Sequence, residues 1–216
     1  MLSTLIALSV LSALIYGLWS TTRPVSYFRT LVKTTAIATL AIYALLSGGP
    51  DFLVAALIFS ALGDFFLSRD GDKMFLIGMV AFLAAHLAYI PLFFSTGASL
   101  DLVLERWPLI VLLSLYSASL MPVLWPGLGK FRVPVLIYTT IIAAMGIAAL
   151  GLPANGSTGL ILAGAVSFIL SDTVLALQRF RISDAVRIRR LTPYIVWFFY
   201  WSAQALITYG ALNLSS

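Results

Sequence analysis

Cysteine is absent from this 216-residue sequence, and histidine occurs only once. The lack of cysteine excludes disulfide frameworks, thiolate nucleophiles and the usual zinc ligand sets, and a single histidine cannot build a histidine metal cluster. Charged residues are also scarce, at 10% of the chain, against about 25% in typical soluble domains. We therefore expect no metal and no other cofactor, and a solvent other than water around most of the chain.

Hydrophobic residues are abundant instead, at 61% of the chain, with a mean hydropathy of +1.04. Eight apolar stretches have the roughly 17 to 25 residues that are needed to cross a hydrocarbon core of ~30 Å. The sequence therefore predicts an all-α fold, a polytopic integral membrane bundle of eight transmembrane helices that forms a single domain over residues 1–216. The predicted spans are 2–19, 30–47, 51–68, 74–95, 107–125, 133–152, 157–178 and 192–213.

Basic residues alternate between the predicted loops, as expected if cytoplasmic loops collect Lys and Arg. With the N-terminus outside, only Arg106 of the 13 basic residues lies on the outer side. Both termini are then outside, which means the periplasm for a bacterial inner membrane. The pI near 9.7 does not indicate nucleic acid, because the basic residues are scattered between apolar runs. The residues on the inner side are Arg23, Arg29, Lys33, Arg69, Lys73, Lys130, Arg132, Arg179, Arg181, Arg187, Arg189 and Arg190.

Four ionisable side chains fall inside predicted spans, where each costs at least ~2.5 to 3.5 kcal/mol at the helix centre and so calls for a reason. A rise of ~1.5 Å per residue puts Asp64 about 6 Å, Asp172 about 9 Å and Lys33 about 5 Å from the cytoplasmic edge. His86 comes out near the midplane, roughly 9 to 12 Å from the carboxyl groups along the membrane normal. The polar groups of the spans are thus concentrated in the cytoplasmic half.

Both aspartates lie toward the C-terminal ends of their helices, among apolar neighbours, and both circumstances favour an uncharged carboxyl group. We expect at least one of them to hold a proton at neutral pH, as a general acid requires. The alternative is that Asp64 and Asp172 only pair with Lys33 or with arginines and fix the packing of the helices.

Further polar side chains share helix faces, since His86 and Tyr89 are three residues apart and Tyr200 and Gln204 are four apart. Tyr138 lies in the cytoplasmic half, like the aspartates. Hydrogen bonding between helices explains the two pairs as well as direct chemistry does. The tryptophans near span ends are typical of an interfacial aromatic belt: Trp19, Trp107, Trp125 and Trp197.

One segment, FSALGDFFLSRDGDKMFLIGMVAFLAAHLAYI at residues 59–90, resembles the YhhN-like lysoplasmalogenase family. That family typically has a small residue followed by Asp-x-x-Leu at a helix end, a loop, and then F-x-x-G-x-x-x-F-x-x-x-H-x-x-Y. Three further segments agree with it in order and spacing. They are KTT at 33–35, RVPVLIY at 132–138, and VSFILSDTVLALQRF at 166–180 followed by YWSAQALI at 200–207. One departure is Thr34, where a proline is expected.

The resemblance implies hydrolysis of the vinyl ether bond of lysoplasmalogens, which releases a fatty aldehyde and glycerophosphoethanolamine or glycerophosphocholine. A protonated carboxylic acid, a second carboxylate and a water suffice for this reaction, so we expect Asp64 and Asp172 to be the catalytic pair. The expected partners are a vinyl ether lysophospholipid and membrane lipid, and the oligomeric state stays open. The predicted substrate-binding residues are Lys33, His86, Tyr89, Tyr138, Tyr200 and Gln204.

Two other functions fit the same residues. A proton-coupled small-molecule transporter also carries intramembrane Asp, His and Lys, and the short similarity between 63–67 and 171–175 is compatible with a parallel repeat of four helices. However, the outer half beyond His86 and Gln204 is nearly all apolar, which favours a pocket that is open on one side only. The third hypothesis is a purely structural membrane protein, in which alanine at the two aspartates disturbs folding and there is no turnover to lose.

Reporter fusions test the predicted topology. Fusions at residues 69, 130 and 187 should report the cytoplasm, and fusions at residues 49, 97 and 216 should report the outside, because the positive charges hold their loops on the inner side. A cytoplasmic C-terminus would overturn the count of eight spans.

Overall fold

The computed structural model describes residues 1–154, 156–182 and 187–215, and within these residues the chain forms helices and no strand. The side chains of Arg187 and Arg189, two of the predicted cytoplasmic charges, and Ser216, one of the fusion points, lie outside the described part. The helices are α1 (Leu2–Ile15), α2 (Tyr27–Leu46), α3 (Asp51–Leu67), α4 (Asp72–Ser95), α5 (Leu100–Glu105), α6 (Trp107–Leu128), α7 (Arg132–Ala149), α8 (Gly156–Phe180) and α9 (Thr192–Ser215).

Each predicted span coincides with one of these helices, with ends that differ by a few residues. A π-helical turn, Tyr16–Ser20, continues α1, and 3₁₀ turns lie at Gly129–Phe131 and Arg187–Arg190. Six stretches of the described chain are long and apolar enough to cross a membrane, and one of them, Trp107–Ala149, runs through both α6 and α7. The protein is therefore an all-helical integral membrane protein.

The loop between α4 and α6 contains the short helix α5, which the sequence analysis missed. Ser99 caps this helix, because its Oγ accepts a hydrogen bond from the Leu102 N–H at 3.2 Å. Arg106 donates from Nη1 to the carbonyl groups of Leu150 and Leu152 at 2.7 and 2.8 Å. This arginine, the one basic residue predicted on the outer side, thus satisfies two carbonyl groups in the turn that follows α7.

The helices pack in sequential pairs, with α1 against α2, α3 against α4, and α8 along the length of α9. Close approach of α3 and α4 depends on glycine: a Cβ on Gly63 would lie 2.5 Å from the Phe82 ring, and one on Gly78 would lie 2.8 Å from Leu67. This contact brings the C-terminal end of α3, which carries Asp64, against the first half of α4.

Helix α6 buries little of its surface, because only Leu124 and Leu128 of its 22 residues are buried. Most of its remaining apolar side chains are exposed, as expected for a surface that faces lipid. This helix therefore forms one wall of the bundle rather than part of its core.

One tryptophan does not belong to an aromatic belt. Trp19, Trp107 and Trp125 are exposed, but Trp197 is only 6% exposed and donates its indole N–H to the Ala13 carbonyl at 2.9 Å. The belt interpretation was wrong for Trp197, because packing of α9 against α1 turns this side chain inward.

Candidate active site

The Asp64 side chain lies where three helices meet. This side chain, on the last turns of α3, is fully buried, and its Oδ1 lies 2.9 Å from the Lys33 ammonium on α2. The Tyr200 hydroxyl on α9 donates to Oδ2 at 2.7 Å. A charged donor and a neutral donor thus hold one carboxyl group, and a buried carboxylate needs partners of this kind.

Asp172 has a different set of partners. The Tyr138 hydroxyl on α7 donates to Oδ2 of this residue, on α8, at 2.5 Å, and His86 Nε2 on α4 lies 3.5 Å from the same oxygen. The Asp172 side chain is 11% exposed, and Lys33 pairs with the other aspartate. The two carboxyl groups therefore sit in unlike surroundings, one beside an ammonium and one beside a phenol and an imidazole.

The sequence estimate of the depth of His86 was wrong for its side chain. Side chains lean toward the N-terminus of their helix, and on the predicted topology α4 starts at the cytoplasmic side while α8 starts at the outer side. His86 and Asp172 therefore lean toward each other, and a separation of about 9 Å between helix positions along the membrane normal closes to the observed 3.5 Å contact.

A cavity of about 370 Å³ joins the two aspartates, and we call it the polar cavity. Lys33, Asp64, Asp172 and Tyr200 all line it, so four of the eight predicted site residues share one space. Ser171, the neighbour of Asp172, donates to the Val196 carbonyl at 3.0 Å and so holds α8 against α9 beside the cavity.

Arginines surround the opening of the polar cavity. Arg29, Arg69 and Arg179 line it together with one acidic loop residue, Asp70. The Nε atoms of Arg29 and Arg69 are buried and have no hydrogen-bond partner among the described residues, while Arg179 donates to Asp72 at 2.8 Å. Two buried guanidinium donors without an acceptor make this opening suited to an anion.

Tyr138 lines a second, narrower space of about 70 Å³ between α6, α7 and α8, which we call the apolar crevice. Phe82 lines both spaces, with its ring 5.5 Å from the Tyr200 ring and 6.3 Å from that of Phe168. The His86 ring lies 4.7 Å from Phe168. Sequence reasoning missed this aromatic wall, because a phenylalanine in an apolar helix carries no signal that separates it from ordinary core.

Tyr89 and Gln204, which the sequence analysis assigns to substrate binding, are fully buried and line neither space. The Tyr89 hydroxyl donates to Gln204 Oε1, and Gln204 Nε2 donates to Ser60 Oγ at 2.9 Å. These contacts connect α3, α4 and α9. The interhelical alternative accounts for all of them, and a contact of either residue with substrate stays a prediction.

Within the described residues, no group of three or more His, Cys, Asp or Glu side chains is arranged to hold a metal ion. The polar groups that line the cavity are instead three carboxyl groups, those of Asp64, Asp70 and Asp172, together with hydroxyl groups and cations. Together they can transfer protons, orient a water and bind an anion.

A model of the YhhN family matches residues 28–211. The chain belongs to the YhhN family. Its relatives include a protein named lysoplasmalogenase from Mycobacterium bovis, 34% identical over 168 residues, which are 74% of this chain and 59% of that relative. Human lysoplasmalogenase TMEM86B is 34% identical over 94% of this chain and 84% of the human protein. Bovine lysoplasmalogenase TMEM86A is 31% identical over 92% and 84%.

The chain thus spans 59% of the length of the mycobacterial relatives and 84% of that of the two mammalian ones. No solved structure matches it with significance. The segments that carry the family resemblance are those that contribute Lys33, Asp64, His86, Tyr138 and Asp172, and all five contact one another or line the two spaces.

Replacement of Gln204 tests whether it braces the bundle. Gln204→Ala leaves the buried Tyr89 and Ser60 hydroxyl groups without their partner, so it should destabilise the protein by about 1 to 3 kcal/mol, seen as a lower melting temperature in detergent. Thr140→Ala is the control, because the Thr140 hydroxyl is exposed and bonds only to Leu136 of its own helix. An unchanged melting temperature for Gln204→Ala would contradict the bracing role.

Proposed function

We propose that the protein is a lysoplasmalogenase, an ether hydrolase that cleaves the vinyl ether bond of lysoplasmalogens. The products are a fatty aldehyde and glycerophosphoethanolamine or glycerophosphocholine. The observation that carries the proposal is the pair of carboxyl groups, Asp64 and Asp172, on one cavity with a cationic opening, in a family whose named relatives are lysoplasmalogenases.

The headgroup fits the opening of the polar cavity. Arg29 and Arg69 offer buried Nε donors that lack an acceptor among the described residues, and guanidinium groups bind phosphate through paired hydrogen bonds. When the substrate phosphate binds at this opening, the glycerol backbone lies deeper in the cavity, between Lys33 and Asp172. The vinyl ether then lies within reach of both carboxyl groups.

The two aspartates have unlike roles in this proposal. Asp64 is the carboxylate, because the Lys33 ammonium at 2.9 Å supplies its counter-charge. Asp172 is the proton donor, because Tyr138 and His86 hold it without a cation of their own. Tyr138 and His86 are positioning residues for Asp172, and Tyr200 orients Asp64.

The reaction proceeds by protonation of carbon. Asp172 gives its proton to the β-carbon of the vinyl ether, the carbon–carbon double bond becomes a single bond, and an oxocarbenium ion forms at the carbon attached to oxygen. Water adds to that carbon and gives a proton to a carboxylate, which yields a hemiacetal. The bond to the glycerol oxygen then breaks, that oxygen takes the proton that Asp64 received from the water, and the hemiacetal hydroxyl gives its proton to Asp172. The aldehyde is released, and both carboxyl groups are back in their starting states. The Asp64 carboxylate stabilises the cation and accepts the proton of the water.

We further propose eight membrane crossings in one domain over residues 1–216. The 17 residues of α3 span about 26 Å, close to the ~30 Å of a hydrocarbon core. The 43-residue stretch through α6 and α7 breaks at Gly129, whose φ of +49° ends α6, so it makes two crossings. Both termini then lie outside, the membrane is a bacterial inner membrane, and the arginines of the opening face the cytoplasmic leaflet.

Turnover of a defined substrate tests the function. Purified protein incubated with lysoplasmalogen should release fatty aldehyde, detected by a coupled aldehyde dehydrogenase or by mass spectrometry. The ester-linked lysolipid with the same headgroup should not react, because an ester has no vinyl carbon to accept a proton. Absence of aldehyde, or equal hydrolysis of the ester, would refute the proposed activity.

Asparagine at the aspartates tests the mechanism. Asp172→Asn and Asp64→Asn keep the shape of the side chains and remove proton transfer, so each should lower kcat by about 10² to 10⁴. His86→Gln should cost less, since His86 acts through Asp172. Turnover by the unaltered protein should also slow in D₂O, because a proton moves to carbon in the first step. Near-normal activity of either asparagine variant would return that aspartate to a packing role.

The asparagine variants need a control that separates loss of activity from loss of stability. Asp64→Asn leaves the buried Lys33 ammonium without a counter-charge, and removing one partner of a buried ion pair costs about 3 to 5 kcal/mol. The double variant Lys33→Met with Asp64→Asn removes both charges and should melt at a higher temperature than Asp64→Asn alone. If the double variant is stable and still inactive, the loss belongs to the chemistry and not to unfolding.

A further inference from the structure

The apolar crevice adjoins the polar cavity. Phe75, Phe82 and Asp172 are among the residues that line both spaces. Asp172 is also the only Asp, Glu, Lys or Arg among the residues that line the crevice. The polar cavity and an apolar space thus lie on either side of the same carboxyl group.

Hydroxyl groups on the crevice wall do not make it polar, because their hydrogen bonds are made within the protein. The Tyr116 hydroxyl donates to Thr173 Oγ1 at 2.8 Å, and the Thr139 hydroxyl donates to the Val135 carbonyl of its own helix at 2.6 Å. Most of the residues that line the crevice are apolar, so it binds an alkyl or alkenyl group better than it binds water.

Helix α6 separates the crevice from the surrounding lipid. This helix buries only Leu124 and Leu128, and the crevice runs beneath its side chains Tyr116, Ser117 and Leu120. At about 70 Å³ the crevice is too narrow to enclose a long chain. The far part of such a chain has to continue past α6 into the lipid.

We propose that the crevice binds the first carbons of the hydrocarbon chain of the substrate and selects among chains by its width beside Asp172. The inference rests on the proposed vinyl ether hydrolysis and deepens it. It places the β-carbon, which is the first carbon of the chain after the reacting C–O unit, at the one carboxyl group shared by both spaces. Ala176 on α8, one helical turn after Asp172, and Leu120 on α6 also line the crevice and set its width.

A second apolar groove is an alternative place for the hydrocarbon chain to bind. It lies between α2 and α3, has a volume of about 360 Å³, and is lined by Ala38 and Ala41 among others. No residue lines both this groove and the polar cavity, so a chain in the groove would not lead from the carboxyl groups. Ala38 and Ala176 are both partly buried, and the same substitution can therefore be made in the two places.

The experiment compares Ala176→Leu with Ala38→Leu on two lysoplasmalogens of one headgroup, with a hexadecenyl and a butenyl chain, in the same detergent. Leucine at 176 narrows the crevice beyond the first carbons, and each methylene displaced from an apolar site weakens binding about fourfold. We expect kcat/KM of Ala176→Leu for the hexadecenyl substrate to fall about tenfold or more, with the butenyl substrate nearly unaffected. Ala38→Leu should behave like the unaltered protein with both substrates.

Other outcomes overturn the inference while leaving the enzyme activity in place. If Ala38→Leu changes the chain-length selectivity and Ala176→Leu does not, the chain binds in the α2–α3 groove. If neither variant changes the selectivity, the crevice does not bind the substrate. No turnover of either substrate by the unaltered protein would instead refute the proposed function.

If Ala176→Leu loses activity on both substrates because it misfolds, a variant that widens the crevice tests the proposal instead. Leu120→Ala enlarges the crevice, so turnover of a substrate branched beside the vinyl ether should rise relative to the straight hexadecenyl chain, by about threefold or more. An unchanged ratio in this variant would overturn the proposal.

Discussion

The buried ion pair between Lys33 and Asp64 constrains the helices around it. Neither charge can face hydrocarbon, since an isolated charge inside a bilayer costs several kcal/mol, so α2 and α3 have to meet where the 2.9 Å contact forms. Tyr200 adds α9 to the same point by donating to the second carboxyl oxygen. One carboxyl group thus connects the consecutive helices α2 and α3 with α9, which lies more than 100 residues further along the chain.

Asp172, unlike Asp64, forms no ion pair with a Lys or Arg among the described residues. This is the main chemical difference between the two aspartates. Asp172 has the Tyr138 hydroxyl and the His86 imidazole beside it, and it has contact with both the polar cavity and the apolar crevice. One carboxyl group beside an ammonium and another beside a phenol and an imidazole are the unlike surroundings on which the proposed division into proton acceptor and proton donor rests.

The position of this pair fits a substrate that is half polar and half hydrocarbon. Arginine donors lie at the opening of the polar cavity, and the hydrocarbon wall of α6 lies on the other side of Asp172. The Tyr89, Gln204 and Ser60 side chains, which bond to one another between α3, α4 and α9, are fully buried and line neither space.

The sequence by itself determined the all-helical membrane class and the positions of the helices, because the length of an apolar run and the cost of burying charge are local properties. It also singled out Asp64 and Asp172, since any carboxyl group in an apolar span needs an explanation. Only the tertiary structure decided which partner each aspartate has, that His86 reaches Asp172, and that Trp197 turns inward. These outcomes depend on the lean of side chains and on the glycine contact between α3 and α4, where helix rotation and separation are set by packing that linear spacing does not record.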